Sequence, residues 1–379
     1  MELLMVTQEG RGGPTKTDAS PTEWTIDDPV TRLRIWATDR IFKLPAAGEV
    51  VAGADESCAV PLLDPSRRIS HQHLRLTFDG ARWVGVDLQS KNGVRVDGVR
   101  RERFAVDPGL ELRLGGITLI PESERLIALR GFVARILGFA TSKLEAIDLS
   151  VKAIRMAAMR RAPLVLCGSG DLIPIALALH RHTHQARPFV VCDPKREDTS
   201  SNTRTDSLNI RNGMAALAAA ASGTLCVRAK RLPNDYADVT HALRGPAAQA
   251  QLVICSEQPE AAHVGAAAPV VIPILDSRAK ELPLVVEGYA ADAAASLGLD
   301  TSFPATDRDW ILRNSAESLL EIENGTRRLV ALRAAPTVSA AAALLGIAQQ
   351  SLSEWIGRRV LPPGLLSVPA SHASPKPNR

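Results

Sequence analysis

Aromatic residues are scarce, at 4% of the 379 positions, with only 5 Trp, 2 Tyr and 7 Phe. Each Trp is therefore informative about where a core lies. The five cysteines (Cys58, Cys167, Cys192, Cys226 and Cys255) are widely spaced and lack CxxC or Cys/His metal spacing. That excludes a disulfide framework or structural zinc site and predicts reduced thiols on buried strands, as suits a cytoplasm. No stretch reaches the roughly 18 consecutive apolar residues of a membrane span. The N-terminus, MELLMVTQEGRGGPTKTD, has no basic region followed by an apolar core, so neither secretion nor anchoring is expected. No repeat recurs at a fixed period. Nor is charge of one sign dominant: the formal net charge is +4, which permits nucleic-acid contact without arguing for it.

What is present is a multidomain chain, since this length exceeds one hydrophobic core and suits domains of about 100 to 150 residues. Residues 1–30 and 361–379 mix Gly, Pro, Ser, Thr and charge without periodicity and are expected to be flexible tails. Residues 31–121 hold short alternating segments such as HLRLTF and RWVGVDL, broken by Gly, Asp and Pro, the signature of an antiparallel β-sandwich. After about Glu122 helical stretches alternate with the compact apolar runs LVLC, FVVC, TLCV, LVIC and VVIPIL, which predicts buried parallel strands of an α/β sheet, a domain placed at residues 140–330. From Asp307 onward the pattern is helical, with Pro336 a break before a last helical pair.

In the first module Gly53, Ser70 with His73, and Ser90-Lys91-Asn92-Gly93 followed by Asp97-Gly98 stand out. Taken singly they are turn residues: a Gly-containing turn, a tight Asp-Gly hairpin and loop-borne donors at a sandwich edge. Together, in this order, they resemble the forkhead-associated (FHA) family. The resemblance implies that Ser70 binds the phosphate of a phosphothreonine, His73 orders the loop and Asn92 holds the peptide backbone. One departure matters. The family's phosphate-binding Arg directly after the first Gly is Ala54 here, which removes a bidentate charge-assisted contact. Arg67 and Arg68, with Lys91, are the candidates for restoring positive charge; the other reading is a phosphate-independent FHA fold.

The central run APLVLCGSGDLIPIALALH begins like a strand entering a phosphate-binding loop. Such a loop needs Gly amides to cradle phosphates, a Lys to neutralise them and a Ser/Thr for magnesium. Only Gly168 and Gly170 are there. With Ala162-Pro163, Pro188-Phe189, Gly223-Thr224-Leu225, Ile272-Pro273 and Glu281-Leu282-Pro283-Leu284, the segment resembles the AAA+ domain of sigma-54-dependent activators. The resemblance places Arg228 and Ala229 where the family has its magnesium-binding Asp and catalytic Glu, and Glu257 near its sensor Asn. An Arg cannot hold magnesium, so the expectation is a degenerate P-loop, no ATPase activity, no cofactor and no enzyme. The segment from Pro194 to Gly213 is also too short for the loop that grips the sigma factor. A competing dinucleotide fingerprint, Gly168-Ser169-Gly170 with Asp193, is opposed by Ile173 at its third Gly position and by Pro174. His180, His182 and His184 read as exposed residues rather than metal ligands.

Near the end, Ala342, Gly346, Leu352 and Trp355 have the spacing of a helix, a Gly turn and a second helix. Residues 336–360 resemble a helix-turn-helix, with Trp355 in the core. Gln349, Gln350, Ser351 and Ser353 would face base edges, and Arg358 and Arg359 phosphates; Glu354 argues against DNA. One small module implies a homodimer or higher oligomer. The whole reads as an all-β FHA sandwich, an α/β AAA+-like parallel sheet and an α-helical helix-turn-helix. The expected function is a cytoplasmic, phosphothreonine-reading, DNA-binding regulator of bacterial Ser/Thr kinase signalling, with no membrane partner. Its ligand is a phosphothreonine on another protein, or on its own Thr15, Thr17, Thr22 or Thr25. The alternative is a phospho-dependent adaptor that binds proteins and not DNA.

Overall fold

The strands of the first module follow from period-two alternation, in which every second side chain points into a shared core. A computed structural model describes residues 29–184, 186–198, 207–245, 249–258, 269–300 and 302–365. The four N-terminal threonines and most of the two expected tails lie outside these residues. The described residues fall into two units. The first holds those up to Leu33, with Lys43–Gly116 and Pro121–Glu124; the second holds Arg34–Phe42, Ile117–Ile120 and those from Arg125 on.

The strands up to residue 123 are β1 (Val30–Ile35), β2 (Ile41–Lys43), β3 (Glu49–Gly53), β4 (Val60–Pro61), β5 (Leu74–Phe78), β6 (Trp83–Asp87), β7 (Val94–Val96), β8 (Val99–Arg101), β9 (Arg103–Ala105), β10 (Leu112–Leu114) and β11 (Ile117–Ser123). They form a five-stranded sheet, order β4-β3-β5-β6-β9, and a six-stranded sheet, order β2-β1-β11-β10-β7-β8. Val50 and Ala52 on β3, Leu74 and Leu76 on β5, and Leu112 and Leu114 on β10 are buried. Asp97 and Gly98, both at positive φ (47° and 85°), close the two-residue β7–β8 hairpin, in which Val96 pairs with Val99. That is the mirror-image turn whose twist suits a hairpin.

Helix α1 (Glu124–Leu137) follows at once, where the sequence texture turns helical after about Glu122, in the gap between the domain bounds at 121 and 140. After α2 (Leu144–Arg160) the chain alternates between strand and helix: β12 (Leu164–Cys167), α3 (Ile173–Thr183), β13 (Phe189–Cys192), β14 (Leu208–Asn209), α4 (Gly213–Ala219), β15 (Thr224–Arg228), α5 (Tyr236–Arg244), β16 (Gln251–Ser256) and β17 (Val270–Val271). The sheet is parallel, in the order β14-β13-β15-β16-β12-β17. Every residue of β12, β13 and β16 is buried, as expected of strands covered on both faces. Val165, Val190, Leu225, Leu252 and Ile254 pack with Val239 of α5 and Ala216 of α4.

The remainder is helical from Leu282, earlier than the sequence texture indicates: α6 (Leu282–Ser296), α7 (Ala305–Asn314), α8 (Leu319–Ala334), α9 (Val338–Leu345) and α10 (Gln349–Gly357). Pro336 lies between α8 and α9, as its missing N–H dictates. Two expectations need correction. Cys58 is buried in the turn between β3 and β4, not on a strand; the other four cysteines do sit on buried strands. His180 and His184 are buried and His182 is half-buried, not exposed. The end of α3 packs onto β15 and β13, so His180 bonds Thr224 Oγ1 at 2.8 Å and the carbonyl of Arg187 at 2.9 Å. Its ring also meets Phe189, at 5.3 Å. Among the described residues no helix is long and apolar enough to cross a membrane, and no His, Cys, Asp or Glu group could hold a metal ion.

Candidate functional site

Three loops of the sandwich converge because glycine lets their backbones touch. A Cβ on Gly53, at the end of β3, would lie 2.0 Å from the carbonyl oxygen of His71, so no other residue fits there. The β4–β5 loop is thereby fixed against β3, with Ala54 N–H donating to the Ser70 carbonyl at 2.9 Å. Within the loop, Ser70 N–H donates to Nδ1 of His73 at 3.1 Å, and the other ring nitrogen lies 3.3 Å from the carbonyl oxygen of Gly93. Nδ1 must therefore be the acceptor and Nε2–H the donor, which is the neutral imidazole. Burial pushes the His73 pKa down, in keeping with that tautomer.

Ser70 is half-buried, and its Oγ accepts the Lys91 backbone N–H at 3.1 Å. Asn92 Nδ2 donates to the Arg68 carbonyl at 2.8 Å, so the Asn crosslinks two loops as well as lying exposed. Asp64 holds the other end of the β4–β5 loop. Its carboxylate accepts from Ser66 N–H and Oγ, from Arg68 N–H at 3.0 Å and from Gly116 N–H at 3.3 Å. Ser66 and these amides lower its pKa to about 2.

A cleft of about 440 Å³ opens beside Asn92, lined also by Arg68, Arg95 and Arg113. Arg95 and Arg113 face each other directly across the β7–β10 pair, and both are exposed. Sequence reasoning missed them; the signal was the alternation in VRV and LRL, which puts each Arg on an outward face. Of the expected cations, Arg68 reaches this cleft. Arg67 is exposed at positive φ (52°) and Lys91 is exposed, and neither lines it. Ser70 does not line it either.

In the parallel sheet, the loop after β12 carries Gly168 and Gly170 (φ 81°) into α3. Arg228, at the carboxyl end of β15, fills the adjoining space. Its Nη2 donates to Asp171 at 2.9 Å and its Nε lies 3.6 Å from Asp193 Oδ2. Asp193 is wholly buried and also meets Arg231 Nη1 at 3.2 Å. It is the anion of an arginine cluster. Glu257 pairs with Lys230.

At the C-terminal end, Gly346 takes the left-handed conformation (φ 67°) that stops α9. Trp355 is buried, with its ring 5.8 Å from that of Trp310. Gln349, Gln350, Ser351 and Arg358 are exposed, and Ser353 is half-buried. Glu354 accepts from Gln350 Nε2 at 3.1 Å and lies 3.9 Å from Arg358. Arg359 is turned from solvent onto the Trp355 ring, 4.8 Å from its centre, and donates to the Trp355 carbonyl.

Comparison with known proteins bears on the first module. The FHA domain family model matches residues 50–115. A search of curated proteins found no match. Among solved structures, the chain is similar to EmbR of Mycobacterium tuberculosis in complex with a low-affinity phosphopeptide, at 26% identity, with 25% of this chain and 24% of that one covered and a TM-score of 0.23. It is similar to the FhaA FHA domain complexed with the intracellular domain of Rv3910, at 26% identity over 24% of this chain and 96% of that one, with a TM-score of 0.22. The FHA-1 domain of Mycobacterium tuberculosis Rv1747 is 29% identical over 25% of this chain and 97% of that one, with a TM-score of 0.22. The family model falls on the loops that hold Ser70, His73 and Asn92, and the chain carries an FHA domain at residues 50–115.

Proposed function

We propose that the chain reads phosphothreonine on a protein partner in Ser/Thr kinase signalling and passes the signal on without ATPase activity. The observation that carries this reading is the register pair Arg95–Arg113. Like charges directly opposite on neighbouring strands destabilise a sheet, and with Arg68 they line one cleft at Asn92. A dianionic phosphate, or an acidic residue beside it, offsets that repulsion through charge-assisted hydrogen bonds. The missing Arg at Ala54 is then compensated from another part of the domain. The test is titration of a phosphothreonine peptide against the Arg95→Glu and Arg113→Glu variants. Affinity is expected to fall roughly tenfold or more, about 1.4 kcal/mol; unchanged affinity contradicts the role of the cleft.

The α/β half supports descent from a sigma-54-activator AAA+ module that has lost nucleotide chemistry. Gly168 and Gly170 remain, but Arg228, tied to Asp171 and Asp193, stands where the resemblance puts a magnesium-binding carboxylate. A fixed cation there repels magnesium.

For the output, the exposed Gln349, Gln350, Ser351 and Arg358 of the α9–α10 pair support DNA contact by a homodimer. Glu354, which holds Gln350 and sits by Arg358, favours the second reading, a phospho-dependent adaptor. An electrophoretic mobility assay against random duplexes separates them: salt-sensitive retardation lost in Gln349→Ala/Arg358→Ala supports DNA binding, and none supports the adaptor.

A further inference from the structure

In a parallel sheet, ligands bind beyond the carboxyl ends of the strands where the direction of winding reverses. Here β12 is followed by β13 to one side, while β17 lies on the other side of β12. A cavity of about 180 Å³ opens at that place, between the segments 169–172 and 272–275 that follow the two strands, under helices α3, α6 and α8. All of it lies within the second unit.

Its walls are mostly apolar, with Phe132, Ile175, Ile272, Leu275 and Leu319 among them. Its charges are of one sign. Asp171, Glu317 and Glu323 line it, and no Lys, Arg or His is among the described lining residues. Asp171 is already balanced by Arg228, and Glu317 is exposed. Glu323 is half-buried on α8 and makes no hydrogen bond among the described residues; burial pushes its pKa up. Three arginines, Arg181, Arg135 and Arg327, lie close enough to favour the Glu323 carboxylate, but none of them lines the cleft, and Arg135 is committed to Asp292 at 2.5 Å and to the face of Tyr289 at 4.4 Å. A ligand bearing phosphates would bring negative charge into a cleft that holds only carboxylates. A cation on an apolar body satisfies both the walls and Glu323, as small-molecule sites with few polar groups do.

We propose that this cleft binds a small apolar amine, whose ammonium pairs with Glu323 and whose body packs on Ile175, Ile272 and Leu275. The site is independent of the phosphothreonine reading and gives the chain a second, small-molecule input.

The experiment is ligand-observed NMR titration of the full chain with matched pairs: 2-phenylethylamine against 2-phenylethanol, and isopentylamine against isopentanol, with magnesium ATP as competitor. The amines are expected to bind at least roughly tenfold more tightly than the alcohols. Glu323→Gln should erase that preference, and Ala178→Trp, which fills the cleft from α3, should abolish amine binding. ATP should displace neither amine. Equal binding of amines and alcohols, an amine preference unaltered in both variants, or displacement by ATP would overturn the assignment. Should Glu323→Gln fail to fold, Ala178→Trp carries the same test.

Discussion

The Ser70 hydroxyl accepts the backbone N–H of Lys91 at 3.1 Å. That bond uses an oxygen lone pair and restrains the Oγ position, while the hydroxyl proton has no acceptor among the described residues. A serine so held is a preorganised donor, ready for an anionic oxygen without further ordering cost. The same loop is fixed at Ser70 N–H by His73 and at Arg68 by Asn92.

Asp64 tests whether loop order matters more than charge. Its carboxylate carries a negative charge on the Arg68 loop, so Asp64→Ala would strengthen anion binding if only electrostatics counted. Because it holds Ser66, Arg68 and Gly116, the variant is expected to bind a phosphothreonine peptide about three- to tenfold more weakly, a loss of roughly 1 kcal/mol. Isothermal titration calorimetry reads the sign directly.

Acid should weaken the fold through its buried histidines. Burial lowers the pKa of His73, His180 and His182 below the ordinary 6.5. Below that pH the unfolded chain takes up protons that the folded chain refuses, so stability is full above 6.5 and declines as pH falls toward the folded pKa values. Urea unfolding between about pH 7.5 and 5 should show this slope, and His73→Asn should reduce it.

Within the second unit, Asp148 on α2 receives both Arg34 nitrogens at 2.8 Å, the Ala37 N–H at 2.8 Å and Arg130 Nε at 3.1 Å. Arg34 and Asp148 are both 3% exposed. Removing one partner of a buried pair typically costs about 3–5 kcal/mol. Asp148→Ala should lose about that much in chemical denaturation, whereas Asp55→Ala, which removes a more exposed carboxylate bonded to Ser57, should lose far less.

Much of this was legible because turn chemistry is local. Gly53, the Ser70/His73 spacing and Asp97-Gly98 announce their backbone conformations within a few residues, and continuous apolar runs announce buried parallel strands. What failed to show is long-range. Arg95 and Arg113 become one site only through the β7–β10 register, which no local pattern states. His180 reads as an exposed polar residue until α3 is laid against Thr224 and Phe189. Arg228 was legible as a basic residue at the end of an apolar run, but its pairing with Asp171 and Asp193 depended on how strands 12, 13 and 15 line up. Glu323 gave no signal at all, since a lone Glu in a helix is ordinarily a solvated one.

The central claim is most directly tested by fluorescence anisotropy of the full chain against a phosphothreonine peptide library, with unphosphorylated peptides and Ser70→Ala as controls. The account predicts binding that needs the phosphate and falls at least roughly tenfold in Ser70→Ala. Binding indifferent to the phosphate, or equal in the Ser70→Ala protein, would contradict it.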